Sequence, residues 1–184
     1  RSKSKGSQPN LIDSKSHSIS FGADGSYSSK LSGNAYLGYT LLNFDEANNP
    51  DQNDLTLGLG LSYKYNSKTS STFDLSRSFS PSAQGFSSFS TTARMSVSHR
   101  FVEDLTGTAY ISASDVEYSY PYDPINPILT GESNSMNTYG LGISIVKTIN
   151  KFLSATGGYD YSIIDRSTES YGRHILKAQI NGTF

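Results

Sequence analysis

Residues 55–65 read LTLGLGLSYKY, a run in which large apolar side chains alternate with small or polar ones. Every odd-numbered position from Leu55 to Tyr65 is leucine or tyrosine, and every position between them is Thr, Gly, Ser or Lys. A strand places successive side chains on opposite faces, whereas a helix repeats its apolar residues every three or four positions. The run therefore predicts a β-strand that has one apolar and one polar face.

The same two-faced pattern recurs along the chain from Ser16 to Phe184, in about nine segments. Short polar turns near residues 29, 67, 104 and 150 alternate with longer polar loops near residues 49, 84, 128 and 167. Such a sheet can close around an aqueous lumen inside a membrane, with its apolar face toward lipid. The sequence thus predicts an all-β fold, an antiparallel up-and-down transmembrane β-barrel with about nine strands in this chain. Residues 1–15 are predicted to be a polar, unpatterned lead-in, and residues 16–184 the barrel segment.

The overall composition allows this fold and excludes several others. Hydrophobic residues make up 35% of the chain and the mean hydropathy is −0.44, which a barrel with a polar lumen face shares with soluble proteins. No stretch approaches the roughly 20 apolar residues of a membrane-spanning helix, so a helical membrane protein is excluded. The chain has no cysteine for disulfides or thiolate metal sites, and no long Lys or Arg run for a nucleic-acid partner. A soluble β-sandwich is the alternative fold.

One segment departs from regular alternation. In the strand around residue 114, the apolar residues change from odd positions, such as Ala113, to even positions, such as Val116. An extra residue in one strand of an antiparallel pair produces such a change. The sequence therefore predicts a β-bulge near Ser114 and Asp115.

The strand count is odd, whereas bacterial single-chain barrels normally have an even number of strands. A sheet that stopped at residue 16 would leave an unpaired edge in lipid, which costs several kcal/mol per exposed backbone group. We therefore expect these strands to be the C-terminal part of a larger barrel, whose upstream half lies in the same protein or in another chain. A start at Arg1 without methionine fits a processed or partial chain. The alternative is that residues 1–15 contain a weak further strand.

Charged residues on the predicted polar face are candidates for lining the lumen. They are Asp24, Lys64, Asp74, Arg94, Arg100, Asp160, Arg173 and Lys177. Rings of charge in channels set the preference for cations or anions, so these side chains are predicted to tune the permeability of a pore. The alternative is that they pair with each other and hydrate the wall. The same face is rich in Ser, Thr and Gly, which suits a wide, wet lumen better than a narrow, filled one.

No catalytic, cofactor or metal site is predicted. The histidines His17, His99 and His174 are far apart and lie on the predicted apolar face, without the spacing of metal ligands. Serine is too frequent for its presence to indicate a catalytic triad, so the chain is not predicted to be an enzyme.

Two features near the longer loops have alternative interpretations. The loop DEANNPDQND at residues 45–54 could bind a divalent cation through carboxylates, although a solvated acidic loop is favoured because the spacing is irregular. Its acidic residues are Asp45, Glu46, Asp51 and Asp54. Arg77 breaks the alternation on the apolar face. It is predicted either to contact lipopolysaccharide phosphates or to be turned inward by a local bulge.

Residues 157–184, GGYDYSIIDRSTESYGRHILKAQINGTF, combine a Tyr-rich strand, an Asp/Arg/Ser loop, a Tyr-x-Arg opening and a terminal Phe. These features lie at Tyr159, Tyr161, Asp165, Arg166, Tyr171, Arg173 and Phe184. The ending resembles the last hairpin of porin-type outer-membrane β-barrels, many of which are associated with exopolysaccharide export. The resemblance implies a bacterial outer-membrane location, with membrane lipid and lipopolysaccharide as neighbours. It also implies that the barrel-assembly machinery recognises the last strand, through Leu176, Ala178, Ile180 and Phe184.

These features predict a passive outer-membrane channel of the porin type, which passes polysaccharide or small polar solutes. The alternative function is that of a non-conducting structural barrel, which anchors or scaffolds a partner at the cell surface. Conductance distinguishes the two, since only a channel opens a pore.

Overall fold

The computed structural model describes residues 14–44, 52–81, 87–119, 134–166 and 169–182. Nine strands lie in these ranges, and each pairs antiparallel with the next to form one up-and-down sheet. They are β1 (Ser14–Ser26), β2 (Leu31–Phe44), β3 (Gln52–Lys64), β4 (Thr69–Pro81), β5 (Ser87–Val102), β6 (Leu105–Ser119), β7 (Asn134–Asn150), β8 (Leu153–Arg166) and β9 (Ser170–Gly182). The predicted all-β, up-and-down architecture is confirmed. None of the described residues forms a helix long and apolar enough to cross a membrane.

The predicted lead-in overlaps the first strand. β1 begins at Ser14, so the last two residues of the predicted 1–15 segment already pair with β2. The remainder of that segment lies outside the described residues, and its character stays a prediction.

The pairing register preserves two faces from strand to strand. Leu61 on β3 pairs with Phe73 on β4, which pairs with Met95 on β5. On the opposite surface, Asp74 pairs with Arg94. We call the surface that contains Leu61 the apolar face and the surface that contains Asp74 the polar face.

Many large side chains of the apolar face are exposed rather than packed in a protein interior. Leu176 is 85% exposed, Phe21 75% and Ile180 74%. Within the described ranges, Ile164 is the one large apolar side chain that is buried. A sandwich buries such rows between two sheets, but the described strands form a single sheet. The apolar face therefore has the character of a surface whose solvent is hydrocarbon.

Short turns connect β1 to β2, β3 to β4, β5 to β6 and β7 to β8. In the turn at residues 65–68, Oδ1 of Asn66 accepts hydrogen bonds from the N–H groups of Lys68 (2.8 Å) and Thr69 (2.9 Å). The Ser28 hydroxyl accepts two backbone N–H groups in the first turn in the same way. Such side chains favour tight turns because they supply an acceptor next to the bend. The tight turns lie where the sequence predicts them.

The connections at the opposite ends of the strands are residues 45–51, 82–86, 120–133 and 167–169. Except for Glu169, they lie outside the described residues. The longest of these ranges is the predicted proline-rich loop near residue 128.

The bulge predicted near Ser114 and Asp115 is wrong. β6 pairs through these residues with both β5 and β7 without a register shift. Val116 and Tyr118 therefore lie on the polar face, and Asp115 and Glu117 on the apolar face. The register shifts lie instead beside tight turns, near the ends of β5 and β7.

A polar row on the apolar face explains the change in the sequence pattern. Its members are successive partners on β4 to β8, namely Arg77, Thr91, Asp115, Asn137 and Asp165. The adjacent row, one step closer to the tight turns, is apolar on every strand: Leu75, Ala93, Ala113, Tyr139 and Ile163. Strands of membrane barrels extend beyond their apolar band into water. The change at residue 114 thus marks the edge of the apolar band, not a kink in the strand.

The tight turns are displaced stepwise across the sheet. A row of paired residues on the apolar face crosses all nine strands through Gly25, Gly33, Leu61, Phe73, Met95, Ile111, Leu141, Tyr161 and His174. Counted from this row, the tight turns are centred four, six, eight and ten residues further along β1, β3, β5 and β7, near residues 29, 67, 103 and 151. If the four turns lie at one level, each strand is shifted by one residue relative to the next. This shift is about 3.3 Å along the strand, and neighbouring strands lie about 4.8 Å apart. This offset corresponds to a strand tilt of roughly 35°, as in membrane barrels.

β1 and β9 are the edges of the sheet in the described part of the chain, and each pairs with one neighbouring strand. Both run in the same direction because eight antiparallel steps separate them. Direct contact between them would therefore be a parallel pair in an otherwise antiparallel sheet. The described strands thus form an open sheet.

Candidate functional site on the polar face

All eight charged residues predicted to line a lumen share the polar face by strand register. One lateral row contains Asp24, Asp74, Arg94 and Arg173. A second row, closer to the tight turns, contains Lys64 and Lys177. Asp160 and Arg100 lie in two other rows. Their role in lining a lumen stays a prediction.

Four side chains from different strands form one network, which we call the Tyr110 cluster: Arg94 on β5, Tyr110 on β6, Asp160 on β8 and Lys177 on β9. The Tyr110 hydroxyl donates a 2.7 Å hydrogen bond to Oδ1 of Asp160. The Lys177 ammonium forms an ion pair with the other carboxylate oxygen of Asp160. The Arg94 guanidinium carbon lies 3.6 Å from the centroid of the Tyr110 ring, in a cation–π contact. The cluster thus links side chains across five adjacent strands.

Gly142 on β7 makes room for the Tyr110 cluster. It pairs with Tyr110 on one side and with Asp160 on the other, and the tyrosine crosses over it to reach the carboxylate. A Cβ atom at position 142 would overlap both Cε1 of Tyr110 and Oδ1 of Asp160. Any side chain at this position must therefore displace the two partners of the hydrogen bond.

Tyr36 and Gly58 repeat this arrangement on β2 and β3. They are paired in register, and a Cβ atom at position 58 would overlap the Tyr36 ring. The ring therefore lies over the glycine, along the sheet. The rings of Tyr36 and Tyr110 both lie along the sheet. The space above the polar face is therefore left to smaller side chains.

Asp24 and Asp74 line a shallow concavity of about 460 Å³ together with Asn34 and Gly60. Among the described residues, neither carboxylate has a basic partner within ion-pair distance. Asp74 pairs by register with Arg94, but the Arg94 guanidinium contacts the Tyr110 ring. The polar face thus has an acidic area on β1 to β4 beside the Tyr110 cluster.

Arg77 lies where the pairing of β3 with β4 ends, opposite Leu57. Its guanidinium donates to both carboxylate oxygens of Asp54, at 3.3 and 3.4 Å, and to the Thr91 hydroxyl at 3.2 Å. The register through Arg77 is continuous, so the inward bulge considered from the sequence is wrong. Asp54 is held by this ion pair, and the other loop carboxylates, in residues 45–51, lie outside the described residues. Contact of Arg77 with lipopolysaccharide stays a prediction.

The histidines of the apolar face contact neighbouring hydroxyl groups. Nδ1 of His99 is 2.8 Å from the Thr69 hydroxyl, and Nδ1 of His174 is 2.7 Å from the Tyr159 hydroxyl. The third histidine, His17, lies on β1 and pairs by register with Leu41. In the ranges that the structure describes, no three His, Cys, Asp or Glu side chains are grouped to hold a metal ion.

The sequence interpretation named Arg94, Asp160 and Lys177 of the Tyr110 cluster but missed Tyr110 and Gly142. One signal was present, because Tyr110 is an aromatic residue at a polar-face position between Thr108 and Ser112. A ring at such a position needs space on the neighbouring strand. The residue that provides this space depends on the register of β6 against β7. The sequence does not fix that register, because a long connection at residues 120–133 joins the two strands.

A family model described as Putative beta-barrel porin 2 matches residues 6–183. The match spans all nine strands, so it includes the Tyr110 cluster as well as the C-terminal hairpin. No curated protein matches the chain.

Proposed function

Because the chain belongs to the family described as Putative beta-barrel porin 2, we propose that it forms an outer-membrane channel for small polar solutes or polysaccharide. The observation that carries this proposal is the hydroxyl-lined polar face. One row of it crosses five strands as Ser26, Ser32, Ser62, Thr72 and Ser96. Side chains this short do not fill the interior of a barrel wider than eight strands, so water occupies the lumen. The polysaccharide alternative is supported by the resemblance of residues 157–184 to export-associated barrels.

Conductance of the full-length protein in planar bilayers tests the channel. We expect stepwise openings that protein-free bilayers lack, because a water-filled lumen conducts ions. Swelling of proteoliposomes in neutral sugars of increasing size then measures whether oligosaccharides pass. A barrel that shows heat-dependent gel migration, and is therefore folded, but opens no pore would contradict the channel and favour a structural anchor.

We also propose that further antiparallel strands close the sheet, supplied by the same protein or by another chain. β1 and β9 each have one neighbour in the described sheet, and an unpaired edge in lipid is costly. A strand placed between them can pair antiparallel with both, since they run in the same direction. Native mass spectrometry of the detergent-extracted barrel should give a mass above that of these 184 residues. A stable barrel of these residues alone would contradict a larger barrel and favour the alternative of a further strand within residues 1–15.

The partner that we propose for β9 is the barrel-assembly machinery. Leu176 and Ile180 are exposed on the apolar face of this edge strand, with Ala178 between them. Phe184, the last member of the predicted signal, lies outside the described residues. An edge strand offers backbone groups to a pairing partner, so a folding factor can read these side chains while it pairs with the strand.

The double variant Leu176→Ser/Ile180→Ser is expected to lower the folded, membrane-inserted fraction severalfold. The substitutions remove apolar side chains from the proposed signal and leave the backbone edge intact. Heat-dependent gel migration of membrane fractions measures the folded fraction. Gln179→Ser, on the polar face of the same strand, is the matched control, and equal folded fractions for all three proteins would refute the signal.

A further inference from the structure

Basic side chains collect at one end of the sheet. We call this end the tight-turn mouth; it comprises the four tight turns and the strand ends beside them. Its exposed cations are Lys30, Lys64, Lys68, Arg100 and Lys151. In the described part of the chain, none of the five lies within ion-pair distance of a carboxylate.

The acidic residues of the tight-turn mouth compensate for little of this charge. Glu103 and Asp104 are the two carboxylates of the described tight turns. Asp104 is bound by Lys147, whose ammonium lies 2.8 Å from Oδ2 and holds the pKa of the carboxyl below its usual value. Lys147 pairs by register with Leu105 and lies on the apolar face. The ion pair between Lys147 and Asp104 is therefore not on the polar face. On the polar face, Asp74 on β4 and Asp24 on β1 share a row with Gly60, which lies four residues before Lys64 on β3.

Backbone hydrogen bonds place the cations of neighbouring turns beside each other. The Lys64 N–H donates to the carbonyl of Lys30, and the Arg100 N–H donates to the carbonyl of Lys68, each at 2.8 Å. The Arg100 guanidinium also donates a 3.0 Å hydrogen bond to the Ser67 carbonyl. Lys64 and Arg100 lie on the polar face, so both charges face the proposed lumen. A cavity of about 500 Å³ opens beside Lys68, Arg100 and Glu103.

Carboxylates and cations are nearly balanced at the opposite end of the sheet. The described carboxylates there are Asp54, Asp115, Glu117, Asp165 and Glu169, and the described cations are Lys15, Arg77, Arg166 and Arg173. The connecting sequences at 45–51 and 120–133 add Asp45, Glu46, Asp51, Asp123 and Glu132, and the four connections at this end contain no Lys or Arg. Arg77 is neutralised by Asp54. Among the described residues, the excess of positive charge therefore lies at the tight turns.

We propose that the tight-turn mouth admits anionic solutes that carry phosphate or carboxylate groups, an inference that rests on the proposed channel. Clustered charge of one sign beside a low-dielectric wall raises the local concentration of counter-ions. Charges closer than about 10 Å act together near 0.1 M salt, and backbone hydrogen bonds hold Lys30 beside Lys64 and Lys68 beside Arg100. The Arg100 guanidinium has a forked geometry, which can form two parallel hydrogen bonds with either a carboxylate or a phosphate group. The opposite end has no such excess of cations among its described residues, so the two mouths are not equivalent.

Planar-bilayer recordings of the full-length protein under a salt gradient test this inference. We expect the wild-type pore to prefer chloride over potassium, and Lys64→Gln/Arg100→Gln to lower that permeability ratio roughly threefold, about one kT of local potential. Inorganic polyphosphate should block from the tight-turn side more strongly than from the loop side. A single cysteine, Phe152→Cys, reports orientation through an impermeant thiol reagent, because the chain has no cysteine.

Lys147→Gln is the matched control, since it removes one positive charge from the same end but from the apolar face. Should Lys64→Gln/Arg100→Gln fail to show heat-dependent migration, the turn variant Lys30→Gln/Lys68→Gln replaces it, with the same expected direction. A pore whose permeability ratio is unchanged in the folded variant overturns the anionic mouth while the channel stands. The same recordings are repeated in bilayers of neutral lipid. If the difference in permeability ratio between wild type and variant is lost there, the cations act on lipid headgroups, and the inference is overturned. The absence of any pore instead contradicts the channel itself.

Discussion

Ile143→Lys is expected to lower the free energy of unfolding by about 2–4 kcal/mol, the cost of a lysine near the bilayer midplane on the lipid face of a barrel. Ile143 is 57% exposed on the apolar face and sits between Ala109 and Tyr159 in the register. Its large exposed surface leaves the ammonium no protein partner, so hydrocarbon has to accommodate the charge. Urea titration of the protein refolded into lipid vesicles measures the loss.

Ser144→Lys supplies the control for this experiment, one residue along the same strand. Ser144 lies on the polar face, opposite Thr108 and Gly158. A lysine there extends into water, so we expect a change below about 1 kcal/mol, as for other exposed substitutions. Equal losses for both variants would mean that the two faces share one solvent, which would refute the membrane barrel.

Gly142→Val is expected to destabilise the barrel by about 1–3 kcal/mol, the usual cost of forcing extra methyl groups into a filled site. The new side chain would overlap the Tyr110 ring and the Asp160 carboxylate, so the hydrogen bond between them must break. Lys177 and Arg94 would then lose partners as well. The same urea titration measures the effect.

Gly157→Val provides the comparison, because a Cβ atom at position 157 meets nothing within 4 Å. Gly157 lies on the apolar face of β8, where a valine adds to the lipid-facing surface. We therefore expect no loss for this variant. Adding Tyr110→Ala to Gly142→Val should recover part of the stability if the overlap with the ring is the cause. A Gly142→Val protein as stable as wild type would show that the Tyr110 cluster does not stabilise the sheet.

The fold was accessible from sequence because each strand carries its own signal. In residues 55–65, alternation alone indicates both the strand and its faces, and Asn66 indicates the turn that follows. These are local properties. They do not depend on which strand lies alongside.

The errors and omissions arose where the environment of a strand changes along its length or depends on its neighbour. The bulge predicted near Ser114 and Asp115 is wrong because the prediction assumes that the apolar band covers the entire strand. Tyr110 was overlooked because its partner Gly142 follows a long loop, and only the register of β6 against β7 brings the two together. The ion pair between Arg77 and Asp54 was likewise not predicted, because it depends on where the pairing of β3 with β4 ends.

The stepwise displacement of the tight turns constrains how the wall can join up. A ring of strands must return to its starting strand with the same side inward, so the offset accumulated over one circuit must be an even number of residues. At one residue per strand, nine strands alone would accumulate an odd offset, and hydrocarbon-facing side chains would meet water-facing ones at the seam. A tenth strand, or any odd number of added strands, removes this mismatch. At this offset of one residue per strand, which the lengths of the four hairpins set, a closed ring therefore requires an even number of strands.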